Sequence, residues 1–364
     1  MRESGLGDQP GTRARRRGIR LAVGGAAALA VIAGVVAGIG TGVLGWAAPA
    51  GQAGASGRAG SGAAVGMAPY YLAVEDGGRA AVGRRTATGG STGKVLAPAG
   101  LRFAAAAGGG DDRTFVLAGQ NRSGLRIYRL RLDSAGQPGA LRSIAVAPLA
   151  ERFGDCPAQL SGLAVSQDSK QLAIAMLSNC PNGRAGPGRI FVVALPGGGK
   201  LATWRPGDGY PTSLSWTTSG ILVYSWAGTR YGVWAIAHAA SSSQATAPRL
   251  LIAASAGING LTDPDYSMVA PGGSVVFATI GKDVSLAVAE FSVRTGRALR
   301  ILAGPVHNPP AYCGPLWTSA SGRHLLAACG DGTEAAIDNG QVTKLGRPWR
   351  LPSYVVPGGP LIAW

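Results

Sequence analysis

Four stretches of this sequence repeat one another at intervals of about fifty residues, and that period constrains the fold more than any other feature. Leu163 opens LAVSQDSKQLAIAM, followed by RIFVVAL from Arg189; Leu214 opens LSWTTSGILVYSW, followed by YGVWAIA from Tyr231. Met268 opens MVAPGGSVVFATI, followed by SLAVAEFSV from Ser285; Leu316 opens LWTSASGRHLLAAC, followed by EAAIDNG from Glu334. Each unit reads as an apolar strand, a Ser/Asp/Gly turn, a second apolar strand, a polar loop and a third strand, and several add a fourth, as in GGKLATW and RALRILAG. Gly220, Gly273 and Gly322 stand where a tight turn needs a residue free to take positive φ. Two more degenerate units precede these, in 70–100 (YYLAVEDGGRAAVG) and 103–144 (RTFVLAG, LRIYRLRL).

A period near fifty with about four strands per unit predicts an all-β fold, a β-propeller of six blades with seven allowed. The units resemble the WD-repeat-like and TolB-like propellers, whose blades run strand, S-x-D-G turn, strand, then a strand similar to I-Y-V-V-D-L. The best matches are Ser166-Gln167-Asp168-Ser169 with residues 190–195, and residues 319–322; the Trp-Asp dipeptide and the Gly-His signature of the family are missing. The resemblance implies a fold and no particular activity, since such propellers include binding modules and unrelated enzymes. The C-terminal run VVPGGPLIAW is placed to complete the first blade and close the ring.

Ahead of the repeats, residues 21–44 (LAVGGAAALAVIAGVVAGIGTGVL) carry no charge, and 24 helical residues at about 1.5 Å each span a hydrocarbon core of about 30 Å. Arg13, Arg15, Arg16, Arg17 and Arg20 precede this run and no such cluster follows it, so the N-terminus is expected in the cytoplasm and the repeats outside. The expected organisation is a basic arm over 1–18, a single-pass signal-anchor transmembrane helix over 19–46, a flexible Gly/Ala/Ser linker over 47–66 and an extracytoplasmic β-propeller over 67–364. Ala48-Pro49-Ala50 leaves open a cleaved signal peptide, although the apolar run exceeds the 7–15 residues typical of one. Gly34, Gly38 and Gly42 share one helix face, a spacing that permits a homodimer in the membrane.

Cys156 and Cys313 each precede the first strand of a unit, and Cys180 and Cys329 each follow its second. The outer ends of two strands joined by a tight turn meet, which predicts disulfides Cys156–Cys180 and Cys313–Cys329 and agrees with export. Metal binding is not expected: no C-x-x-C spacing occurs, and the histidines are His238, His307 and His324 alone.

No catalytic, cofactor-binding or metal-binding residue is therefore assigned. His307, read as part of the Pro-rich loop VHNPPAYCGP, is the histidine hardest to dismiss. Asp263 with Asp265, and Asp111 with Asp112, are close carboxylate pairs that read as turn residues beside Gly or Pro. Trp204, Trp216, Trp226, Trp234 and Trp317 recur in strands, where packing between blades is the first explanation and a few at a channel mouth could stack on a sugar or peptide. The formal charge is +16; the first twenty residues hold six arginines and two carboxylates, leaving 28 basic and 16 acidic side chains, or +12, for the rest. The expected partners are the membrane and an envelope protein or anionic wall polymer, without nucleic acid. The expectation is a membrane-anchored binding module with no catalysis of its own; the alternative is an exported lactonase- or glycosidase-like hydrolase using the central cavity.

Overall fold

The computed structural model describes residues 70–363, apart from 75–77, 85–89, 112, 122–123, 147–148, 150–151, 154–155, 181–184, 196, 198, 206, 242–246, 283–284, 308–312, 319–323, 330–333, 339–340 and 347–361. The expected basic arm, membrane helix and linker, residues 1–66, lie outside the described residues. Among the described residues no helix is long and apolar enough to cross a membrane, and every regular element is a strand.

The strands group in chain order. The first sheet contains β1 (Tyr70–Val74), β2 (Ala80–Arg84) and β3 (Gly90–Val95). The second contains β4 (Arg102–Gly108), β5 (Thr114–Asn121), β6 (Gly124–Arg131) and β7 (Arg142–Ile144). The third contains β8 (Arg152–Phe153), β9 (Cys156–Val165), β10 (Gln171–Asn179), β11 (Ala185–Ala194) and β12 (Lys200–Trp204). The fourth contains β13 (Gly209–Trp216), β14 (Leu222–Gly228), β15 (Gly232–Ile236) and β16 (Arg249–Ala253). The fifth contains β17 (Thr262–Val269), β18 (Val275–Lys282), β19 (Ser285–Ser292) and β20 (Ala298–His307). The sixth contains β21 (Cys313–Thr318), β22 (His324–Cys329), β23 (Glu334–Asp338) and β24 (Gln341–Gly346). Finally β25 (Ile362–Ala363) returns to the first sheet and pairs antiparallel with β1, Ala363 opposite Leu72 and Ile362 opposite Ala73.

Each sheet is an antiparallel meander; five have four strands, and the third gains the short β8. The inner strands pack in sequence, β4 on β9, β9 on β13, β13 on β17 and β17 on β21, while β21 and β4 both meet β25. That closed series of neighbours makes the all-β architecture a β-propeller. His307 ends strand β20 and does not sit in a loop, contrary to the sequence reading; its side chain is outside the described residues.

Burial explains why these segments pair. In β5, β14 and β18 the middle residues are buried without alternation, because neighbouring sheets cover both faces. Outermost strands such as β12 and β16 are exposed at their beginnings. Among the described residues, five apolar clusters fill five successive seams, with Leu117 and Phe115 between the first and second sheets, Ile174 and Phe191 next, then Trp216 and Trp226, then Phe291 and Ile280, then Phe277 and Leu325.

The turns behave as their sequences ask. Ser166 Oγ donates to Asp168 Oδ1 at 2.6 Å and accepts the Gln171 N–H at 2.9 Å, and this local bonding holds Ser169 at φ 54°, where the related turns use glycine. Gly220 fills the same position in the fourth sheet with φ 75°, and Thr217 Oγ1 accepts the Ile221 N–H at 3.0 Å.

Cys156 and Cys180, at the meeting ends of β9 and β10, are joined by a disulfide with Cα atoms 4.7 Å apart. Cys313 and Cys329 face each other as register partners across β21 and β22, but their side chains lie outside the described residues. The Cys156–Cys180 loop spans 24 residues, worth about 3 kcal/mol on the chain-entropy model. The double variant Cys156→Ser/Cys180→Ser is expected to lose about that much in urea unfolding monitored by circular dichroism.

Candidate functional site

Adjacent inner strands leave backbone donors and acceptors facing a neighbouring sheet, and these must find partners. Side chains supply them. Gln120 Nε2 on β5 donates to the Ala158 carbonyl of β9 at 2.9 Å, and Trp216 Nε1 on β13 donates to the Ala164 carbonyl at 3.2 Å. Between β13 and β17 the device is denser. Ser213 Oγ accepts the Ser267 N–H at 2.9 Å, Ser215 Oγ accepts the Val269 N–H at 2.9 Å, and Ser225 Oγ donates to Ser267 Oγ at 2.7 Å.

This seam ends at an acidic cluster. The register of β17 against β18 shifts on both sides of Asp265, and Asp263 and Tyr266 both take left-handed φ, 54° and 43°. Asp265 is thereby turned inward. Its carboxyl accepts from the Thr212 hydroxyl of β13, the Tyr231 hydroxyl and the Tyr266 N–H, the last at 2.8 Å. Burial pushes the carboxyl above the usual carboxylate range, and those donors pull only part of the way back. Burial and the Asp265 charge together push the Tyr210, Tyr231 and Tyr266 hydroxyls up. The sequence reading of Asp265 as a turn residue is corrected: it is a half-buried tie between the fourth and fifth sheets. Asp111 is a turn residue as read, accepting from the Thr114 hydroxyl at 2.7 Å and the Thr114 N–H at 2.6 Å; Asp112 lies outside the described residues.

The hairpin turn that supplies Tyr231 also supplies Arg230 to a cleft of about 250 Å³ in the groove between the third and fourth sheets. Trp204, Trp226 and Trp234 line it, with Arg205, Ala247 and Pro248. Each indole N–H is already bonded to a backbone carbonyl: Trp204 to Ala239 at 3.0 Å, Trp226 to Asp208 at 3.3 Å and Trp234 to Arg230 at 3.0 Å. These bonds occupy the indole N–H groups and leave the ring faces of the partly buried Trp204 and Trp234 as what the indoles offer. Of the recurring tryptophans, Trp216 and Trp226 are buried packing residues as expected, Trp204 and Trp234 are only partly buried, and the Trp317 side chain is outside the described residues. Beside them the Tyr224 hydroxyl is fully buried and makes no hydrogen bond among the described residues.

Arginine also gathers on the second sheet. Arg126, Arg129 and Arg131 of β6 and Arg142 of β7 are exposed, and Arg129 stands directly opposite Arg142. The described ion pairs, Lys170–Asp168 and Arg300–Glu290, involve none of them. The segment LRIYRLRL held the signal in the sequence, but the pairing of Arg129 with Arg142 depends on register. His238 occupies a turn with φ 53°, and the His324 side chain is outside the described residues. The spacing G-x-S-x-G does occur once, from Gly89 to Gly93, but Gly90–Val95 form strand β3, whereas a nucleophile elbow needs a strand-to-helix turn. Among the described residues no group of three or more His, Cys, Asp or Glu side chains is arranged to hold a metal ion.

No family model and no curated protein matches the sequence. Solved structures do match: a putative TolB from Agrobacterium tumefaciens is 12% identical over 76% of this chain and 87% of its own, with a TM-score of 0.46. The β-propeller domain of Cps50 (Swd1) from Myceliophteria thermophila is 13% identical over 78% and 81%, with a TM-score of 0.48. Hydrazine synthase from Kuenenia stuttgartiensis is 15% identical over 78% and 80%, with a TM-score of 0.47. The resemblance of the repeats to TolB-like and WD-repeat propellers holds at the level of architecture, as the sheets themselves show.

Two measurements test the site's energetics. A carboxyl whose folded pKa is raised adds stability fully present below its unfolded value near 3.8 and lost as pH rises through the folded value. Relative to Asp265→Asn, the unsubstituted protein is therefore expected to lose stability across that interval, followed by urea midpoints between about pH 4 and pH 8. Tyr224→Phe removes a buried hydroxyl without a partner and is expected to raise unfolding free energy by about 1 kcal/mol; a loss of that size would reveal a bonded hydroxyl.

Proposed function

We propose that this chain is a membrane-anchored propeller of six blades, one per sheet, that works outside the cytoplasm by binding an anionic envelope polymer and has no catalysis of its own. The observation that carries this reading is the arginine face of the second sheet. Like charges placed directly opposite across a strand pair destabilise it, so Arg129 beside Arg142 favours an anion that spans both. The Cys156–Cys180 disulfide supports an oxidising compartment, and the arginine-rich arm before an uncharged apolar run supports a cytoplasmic N-terminus. The hydrolase alternative would need a carboxyl presented to substrate; the carboxyl of Asp265 is instead occupied by Thr212, Tyr231 and the Tyr266 N–H.

The test has two arms. In intact cells, external protease is expected to remove an epitope placed after Trp364 while an N-terminal epitope survives. The full chain in detergent is expected to sediment with isolated anionic wall polymer at low salt and to be released as ionic strength rises, because exposed charges are screened over about 8 Å at physiological salt. Arg129→Ala/Arg142→Ala is expected to lower retention several-fold. A protected C-terminal epitope, or retention insensitive to both salt and these substitutions, contradicts the proposal.

A further inference from the structure

We infer that the cleft between the third and fourth sheets is a binding site for one acidic sugar unit of a glycan chain, a site separate from the arginine face. The inference rests on the extracytoplasmic reading for the class of polymer, and on the cleft's own chemistry for the class of unit.

The lining residues limit what can be recognised. The indole N–H groups of Trp204, Trp226 and Trp234 are bonded to carbonyls, and Trp226 is buried, so the partly buried Trp204 and Trp234 present apolar faces and no donors. The remaining side-chain donors in the lining are the guanidiniums of Arg205 and Arg230, both exposed and neither in an ion pair among the described residues. A ligand that answers both features has a flat C–H face to lie on an indole and a carboxylate to meet the guanidinium fork. A uronic-acid pyranose has both. The size agrees: about 250 Å³ is below the ~300 Å³ at which pockets for drug-sized molecules begin, which suits a single ring of a longer chain.

Isothermal titration of the full chain in detergent with a tetramer of galacturonic acid, and with the matching neutral tetramer of galactose, tests this directly. The acidic tetramer is expected to bind at least about tenfold more tightly. Arg205→Ala/Arg230→Ala changes two exposed side chains, should keep the fold by circular dichroism, and is expected to erase that preference. Independently, the acidic tetramer is expected to shield Trp204 and Trp234 from oxidation by N-bromosuccinimide, read by peptide mass mapping. Equal binding of the two tetramers, a preference that survives the arginine substitutions, absence of shielding, or tighter binding of an oligothymidylate of equal charge would each overturn the inference. If the acidic tetramer fails to bind while wall polymer still sediments with the chain, the cleft assignment falls alone. If neither binds, the binding-module reading falls with it.

Discussion

The structure depends on how the first sheet is finished. Its strands β1 to β3 come from the start of the repeats, and its fourth strand, β25, comes from residues 362–363. A propeller places each sheet between two others, so an unfinished first sheet would leave an edge of unpaired N–H and C=O groups facing its neighbours. Pairing β25 with β1 covers that edge at Leu72 and Ala73 and ties residues almost three hundred positions apart. The other inner strands meet a milder form of the same constraint. They do not pair with the next sheet, so Gln120, Ser213, Ser215 and Trp216 reach across and satisfy the backbone there.

Those seams also explain where binding chemistry can sit. Inside a seam nearly every position is apolar or locked in a hydrogen bond. Freedom appears where sheets diverge, in the groove holding Trp204 and Trp234, and on exposed outer strands such as β6 and β7. The turn through Arg230 and Tyr231 joins two regimes: Tyr231 helps tie the fourth sheet to the fifth through Asp265, and its neighbour Arg230 faces the cleft.

The fold was legible in the sequence to the extent that it is local and repeated. Apolar segments at a fifty-residue period marked the strands, and Gly220 and Ser166 marked the turns because their chemistry acts within four or five residues. The Cys156–Cys180 bond followed from the same hairpin logic. The site was legible only in part. Asp265 looked like a turn residue because Pro264 precedes it, whereas its burial comes from Thr212 and Tyr231 in another sheet. The cleft joins Trp204 with Trp226 and Trp234, and Arg129 faces Arg142; both depend on packing or register that no single segment encodes. Asp265 is inward because β17 slips its register on either side of it, a three-dimensional event with only a local proline as its trace.

Closure of the ring is the claim on which the seams and the cleft between them rest, and a cross-link tests it most directly. Ala73 and Ile362 are register partners across β1 and β25, and facing strand residues have Cα atoms about 4.5–5.5 Å apart, within disulfide reach. In the full-length variant Ala73→Cys/Ile362→Cys, non-reducing peptide mapping should find residues 73 and 362 joined in nearly every molecule, with a raised melting temperature that falls on reduction. Free thiols at both positions in a folded protein would contradict the closed ring.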